Sequence, residues 1–459
     1  MPRPDDILHA TPNFARLRLA RPLSMPMLPP DHPERLALAD EVHARPPEPL
    51  TTPTRASYVA VLLDSDQRAA ESQHLAHLCA RFDVPPPAAG TTQFSAQLGP
   101  VRLKWERHGE FSGYTMFAPG TPEDGFDASV AGLLPPDWLQ GLPGHTVAAA
   151  HALLLPGKSQ APDAAVLARY FGGNPVVGST VGGGVGHAFT DFRVQADGRA
   201  RFLLLDNGFT QNQAGRTLQR LFEIDAYHML ALLALPIARR QGPRIVAIER
   251  ALAELTDGIA REDGADEQLL QELTRLAAEV ESSLAGSQFR FGACRAYSEL
   301  VRTRIGELRE LRIPGLQTIE EFMARRFTPA VVTCQSVSQR LHDLSERVAQ
   351  ASGLLATRVG IVREKQSQAL LVSMDRRAKL QLRLQQTVEG LSVAAISYYV
   401  AGLVGYLAKA AKAAGVPWNP DLVVGATVPV VAVVALLAIR RARRRIHQAE
   451  ARERAALSV

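Results

Sequence analysis

Two neighbouring runs without a charged residue constrain this chain more than anything else in it. Leu391 to Ala408 reads LSVAAISYYVAGLVGYLA, and Leu422 to Ile439 reads LVVGATVPVVAVVALLAI. A bilayer-spanning helix needs about 20 mostly apolar residues, within a range of about 17–25. Both runs reach that length with their flanks. The alternative is a buried soluble hairpin, but two such runs side by side with basic ends are rare in soluble folds. Arg376, Arg377, Lys379 and Arg383 precede the first run, and Arg440-Arg441-Ala442-Arg443-Arg444-Arg445 follows the second. Between the runs stand only Lys409 and Lys412. Positive charge accumulates on the cytoplasmic side of a membrane, so both termini are expected inside and the loop outside. Trp418 in the loop and Tyr398, Tyr399 and Tyr406 in the first run are aromatics of the kind found near membrane interfaces.

The net charge is +5, and much of it comes from the arginine cluster. A basic cluster directly after an apolar run reads as a membrane flank, not as a nucleic-acid site. The three cysteines, Cys79, Cys294 and Cys334, are too few and too widely spaced for a disulfide framework or a paired-cysteine metal site. No apolar run suited to a secretion signal stands near the start, so insertion is expected to rely on the C-terminal runs.

Two sets of residues at the first run are candidates for function. Glu389 stands where the run meets the bilayer boundary, and a carboxylate there is a candidate pore mouth. The plainer reading has it facing water or pairing with Arg383. Ala395, Gly402 and Gly405 lie near one helical face with Tyr398 beside them. Small residues let helices approach closely in lipid. That face is expected either to pack on the second run or to form a subunit interface or pore wall.

No proline occurs between Pro329 and Pro417, and the stretch is rich in good helix formers. Leu341, Leu344, Val348, Leu355, Val359 and Val362 recur at helical spacing, as do Leu370 and Met374. If continuous, the helix holds about 80 residues and is roughly 120 Å long. It would then need other helices to pack on. Two or three shorter helices broken near Gly353 or Gly360 are the alternative.

Upstream, residues 1–55 are Pro-rich, with a short helix candidate at Glu34 to His43. From Ser57 the pattern mixes strands with helices. SYVAVLL reads as a buried strand, QFSAQLG, VRLKWERH and YTMFA as further strands, and HTVAAAHALLL as another. Asp197-Gly198 signals a hairpin between TDFRV and ARFLLLD. Thr210 to Arg240 reads as a helix bent or ended by Pro236 and Pro243, followed by helices at about 245–262, 265–312 and 317–327. The expected fold is therefore an α+β cytoplasmic domain with a mixed or antiparallel sheet, followed by a long-helix bundle and a C-terminal two-helix transmembrane hairpin. The expected boundaries are 1–55, 56–208, 209–329, 330–389, 390–439 and a basic tail at 440–459.

Motifs for catalysis are weak. Gly178 to Gly186, GSTVGGGVG, lacks the Gly-Lys-Ser/Thr end of a P-loop and is followed by a strand pattern, so a turn is the better account. His187 with Asp191, and His43 with Glu41, are pairs too small for a metal site, and His145 and His151 stand alone. Glu223, Asp225 and His228 lie within two helical turns and read as pairing with Arg216 or Arg220. No enzyme, cofactor or metal is expected.

EVHARPPEPL (41–50), TDFRV (190–194), QRLFEIDAYHMLALLALPIAR (219–239), YSELVRTRIGELRE (297–310) and QLRLQQTVEGLSVAAISYY (381–399) together resemble an uncharacterised bacterial family, membrane-anchored proteins with domain of unknown function 3422. That resemblance implies no activity. The succession of α/β domain, helices, long helix and two C-terminal spans is similar to CorA-type magnesium transporters. The Gly-Met-Asn motif of that family is missing, because the loop reads GVPWNP. The expectation is an inner-membrane scaffold or binding protein that self-associates through its long helices, with the lipid bilayer as partner and no nucleic acid. The alternative is a CorA-like cation channel or transporter taking a divalent cation.

Overall fold

The computed structural model describes residues 29–36, 38–39, 46–121, 125–126, 129–158, 160–261, 266–415, 417 and 419–456. The tail at 1–28, the end of the helix proposed from Glu34, the Glu41–His43 pair and Trp418 lie outside them. The chain divides into two compact units, one of residues 1–254 and 275–348, the other of residues 255–274 and 349–459.

The first unit is built on a mixed sheet that has nine strands among the described residues. In chain order these are β1 (Thr54–Leu62), β2 (Gln93–Leu98), β3 (Val101–Arg107), β4 (Phe111–Pro119), β5 (His145–Pro156), β6 (Val177–Val181), β7 (Gly186–Thr190), β8 (Ala200–Asp206) and β9 (Leu311–Arg312). Their spatial order is β2-β3-β4-β1-β5-β8-β7-β6-β9, and β5 with β8 is the parallel pair among antiparallel neighbours. SYVAVLL reads as a continuous apolar run because β1 is central and covered on both faces. On one face Val59 and Val61 join Leu75 and Leu78 of α1 (Gln67–Arg81), with Trp105, Tyr114 and Trp138 in the same core. On the other, Tyr58 stacks on Phe222 of α4 (Gln211–Leu232) at 4.9 Å. Between these helices come α2 (Pro136–Gln140) and α3 (Ala164–Phe171), the latter capped by the Asp163 carboxylate on the Val166 N–H.

Further helices are α5 (Leu235–Arg261), α6 (Asp266–Leu308), α7 (Ile319–Arg326), α8 (Thr328–Ala413) and α9 (Pro420–Ala456). Thr210-x-x-Gln213 and Thr318-x-x-Glu321 form reciprocal capping boxes that fix where α4 and α7 begin. The first unit runs past the expected boundary at 208. Leu311 and Arg312 add a last strand to β6, and α4 lies on the sheet with its apolar face buried.

Two local expectations change. Pro243 does not end a helix but sits inside α5, while Pro236 falls in its first turn. TDFRV is not a strand beyond Thr190: Phe192 adopts φ +48°, and the Asp191 carboxylate gathers Asn174, the Arg193 N–H and Gln195. The hairpin itself stands, with β7 and β8 paired antiparallel and its tip at Asp197-Gly198 closed by the Gln195 N–H on the Arg199 carbonyl at 3.0 Å.

In the second unit α8 is unbroken, with no kink-forming proline after Pro329, and passes through Gly353 and Gly360 without interruption. Leu355 is fully buried, and Arg358 pairs with Asp266 at 3.2 Å and donates to the Ile259 carbonyl. From Gly360 to Val388 the helix has no buried side chain.

Candidate functional site

The apolar runs form α9 and the last third of α8, which lie against each other through small residues. Ser397, Ala401 and Ala408 are buried, and a Cβ on Gly405 would meet the Val424 methyl at 3.0 Å. These positions recur every three or four residues, so they share one helix face. Around them opens a groove of about 880 Å³ lined by Tyr398, Gly402, Tyr406, Lys409, Asp421 and Val428, among others. The Ser397 hydroxyl is buried there without a hydrogen bond.

The sequence candidates separate in three dimensions. Gly405 belongs to the contact with α9. Ala395 is exposed, Gly402 has open space where a Cβ would stand, and Tyr398 is 78% exposed at the groove rim. Ala395 and Gly402 continue an exposed stripe, Leu380, Leu384, Val388 and Leu391, at the same three-to-four spacing. Glu389 is half-buried and accepts from Gln385 at 3.4 Å. It lies six residues before Ala395, so the two point about 120° apart on a helix turning about 100° per residue. One axis cannot face both.

Three helical stretches among the described residues are long and apolar enough to cross a bilayer: Gln211–Ile259, Ile319–Ala413 and Pro420–Ala438. The first is 56% buried in its most apolar window and belongs to the core against the sheet; the last is not buried at all. Leu422, Val430, Val433, Val434 and Leu437 all stand more than half exposed. Side chains of that kind in contact with water cost about 25 cal/mol per Å² of apolar surface.

The sheet unit holds several buried polar groups. Ser57 Oγ lies 2.9 Å from His151 Nδ1, and His151 Nε2 lies 3.6 Å from Asp197. This resembles a nucleophile triad in composition only. Ser57 is 0% exposed and its oxygen already accepts the Ala131 N–H, so no substrate carbonyl can reach it as packed. Burial, with Arg199 second, holds His151 down to about 4, neutral at physiological pH. The cluster ties β1 and β5 to the short turn at Val130–Leu133. Lys104, nearly buried, reaches Glu106 at 2.9 Å, the Pro46 carbonyl at 2.8 Å and Gln219 at 3.3 Å. The space beside it holds about 20 Å³, room for one water and no ligand. Segment 46–50 is held there over Gly215, where a Cβ would strike the Glu48 carbonyl at 1.7 Å. Glu71, fully buried on α1, accepts from Trp105 at 3.0 Å and Tyr114 at 2.8 Å. Glu223 pairs with Arg304, and Arg220 with Glu307 at 2.9 Å, so the pairing expected within α4 goes instead to α6. Among the described residues no three His, Cys, Asp or Glu side chains converge to hold a metal ion.

Residues 30–446 match the family described as "Protein of unknown function (DUF3422)", and the chain belongs to that family. No curated protein matches the chain.

Proposed function

We propose that this is an inner-membrane protein that anchors a large cytoplasmic domain through α8 and α9 and serves as a scaffold or binding protein. The observation that carries the reading is the bare apolar surface of α9, next to a first run that touches it through small residues. The arginine flanks supply the orientation, with both termini cytoplasmic and the 414–419 connection outside. Self-association through α8 accounts for the exposed stripe from Leu380 to Gly402, since a second copy of the stripe would cover it. Catalysis is not part of this reading.

A cation pathway is the second reading, and the unpartnered Ser397 hydroxyl in the groove is the observation that favours it. The stripe itself is apolar, and Glu389 points away from it, which is why the anchor reading ranks first.

Alkaline carbonate extraction combined with cysteine mapping tests the proposal. Ala414→Cys in intact cells is expected to react with a membrane-impermeant maleimide, and Gln385→Cys only after lysis. Release by carbonate, or equal labelling of both positions, would end the anchor reading. Magnesium flux into liposomes holding the purified chain would promote the second reading over the first.

A further inference from the structure

The glycine-rich turn between β6 and β7 opens onto a cavity with an excess of positive charge. Gly182, Gly183 and Gly184 connect β6 to β7, all with positive φ. The Gly182 N–H donates to the Leu308 carbonyl at 2.8 Å, which brings the turn to the end of α6. Beside it lies a cavity of about 450 Å³, lined by Phe209, Arg216, Arg220, Thr303, Glu307 and Arg309 among others. That size falls within the range of small-molecule sites, about 300–1,000 Å³.

Charge decides the kind of ligand. Arg220 is neutralised by Glu307, which Arg304 also holds. The Arg309 N–H closes the end of α6 on the Gly306 carbonyl at 3.2 Å, but the guanidinium groups of Arg216 and Arg309 have no hydrogen bond or ion pair to any described residue. Two guanidinium groups therefore face the cavity region without a counter-charge, and Gln213 adds a neutral side-chain amide, while the Thr217 and Thr303 hydroxyls donate to the Gln213 and Glu299 carbonyls. A guanidinium offers a planar fork of donors that fits phosphate oxygens in pairs. The glycines serve the same place. A Cβ on Gly182 would meet Phe209 at 3.0 Å, and one on Gly186 would meet it at 2.2 Å, so their absence lets the Phe209 ring lie against the turn.

Arg309 adds an independent sign. It holds φ +50° just after the last residue of α6, the left-handed position where glycine is the usual helix stop. A long cationic side chain at such a position strains the backbone without an internal partner to offset the strain, and strain of this kind clusters at ligand sites.

We infer that the cavity between the β6–β7 glycine turn, the start of α4 and the end of α6 binds a phosphate-bearing ligand through Arg216 and Arg309. A soluble phosphate compound and a phospholipid headgroup share this chemistry, and the test separates them.

Full-length protein in a zwitterionic detergent is titrated by calorimetry with sodium pyrophosphate, and separately with bicelles with and without phosphatidic acid. Binding to pyrophosphate assigns a soluble ligand. Binding only to phosphatidic acid bicelles assigns a headgroup. In either arm Arg216→Ala with Arg309→Ala is expected to weaken binding at least tenfold. Arg309→Gly sharpens the test, because it should leave the melting temperature equal or higher while weakening binding. A purely structural arginine would lower both. No binding in either arm at millimolar ligand, or unchanged affinity in the double variant, overturns the inference.

Discussion

Residues 211–259 and residues 420–438 are both apolar enough to span a bilayer, yet the fold treats them in opposite ways. The first places Leu218, Leu221, Phe222, Ala226 and Leu230 against the sheet and neighbouring helices, and keeps Arg220 and Glu223 on a face where α6 supplies partners. The second carries no charged side chain between Asp421 and Arg440, and offers apolar groups all round. A helix apolar on one stripe finds its solvent inside a domain; one apolar all round needs a nonpolar surrounding on every side. Both pass the hydropathy a span needs, so that threshold alone does not separate them. The angular distribution of charge does.

Substitution in the two helices should therefore break different things. Phe222→Ala removes a ring stacked on Tyr58 and edge-on to Phe202, and should cost about 3–5 kcal/mol of sheet-unit stability. Denaturation followed through Trp105 and Trp138, both in the sheet unit, measures that loss. Val434→Lys should leave this transition where it is and instead release the chain from membranes, since lysine at the centre of a span costs about 2.5–3.5 kcal/mol. The comparison fails if the lysine variant stays in carbonate-washed membranes.

A buried pair on α4 gives the next largest effect. Burial raises the Asp225 carboxyl to about 7, while burial holds the neighbouring His228 down to about 4, with 3.9 Å between them. Asp225 in the folded state keeps a proton that the unfolded chain has lost, so its contribution is full in acid and disappears as pH rises toward 7. His228 has the opposite sign: stability lost to its charging in the unfolded chain returns as pH climbs from about 4 to 6.5. The two slopes oppose each other across that window. Asp225→Asn should raise stability at pH 8 by roughly 2–4 kcal/mol and leave the rise from His228 alone. Thermal melts from pH 5 to 8 read this directly, and an unaltered pH profile would remove Asp225 from the account. Within the apolar run of α9 there is no such carboxylic acid, and Asp421 just before it is exposed.

The smallest effect separates two glycines three residues apart. Gly405→Leu should push α9 off α8 at a cost of about 1–3 kcal/mol, because Val424 already stands at contact distance. Gly402→Leu meets open space and should leave the helix pair intact. If the stripe from Leu380 to Gly402 joins two copies, Gly402→Leu alone should reduce the oligomer measured by light scattering in detergent.

Much of this architecture was readable from local pattern. Val59 and Val61 stand in the apolar run SYVAVLL that reads as a buried strand, and Thr210 is where the helix of α4 is expected to begin. Pro243 was misleading because a proline that ends an isolated helix can be carried inside one held by tertiary packing, as α5 is. TDFRV failed as a strand because the Asp191 side chain captures the backbone that would have paired. The face shared by Ala395, Gly402 and Gly405 was drawn too wide, and only a partner helix at a definite angle divides it. The arginine cavity was not legible at all, since Arg216 on α4 and Arg309 just past the end of α6 lie far apart in sequence and come near each other only in the folded sheet unit.

That completion has a practical side. β9 is two residues long, yet it caps the β6 edge, and Glu310 just before it accepts from Ser179 and from the first N–H groups of α7. The edge is thus sealed by residues made some 130 positions after β6 itself. A fragment ending at 208, where the main run of strands stops, would expose the Val177–Val181 backbone to any other strand it met. A nascent chain faces the same hazard throughout the synthesis of α4, α5 and α6. Designers of soluble fragments should keep the chain through Val348 and expect aggregation from anything that stops before Leu311.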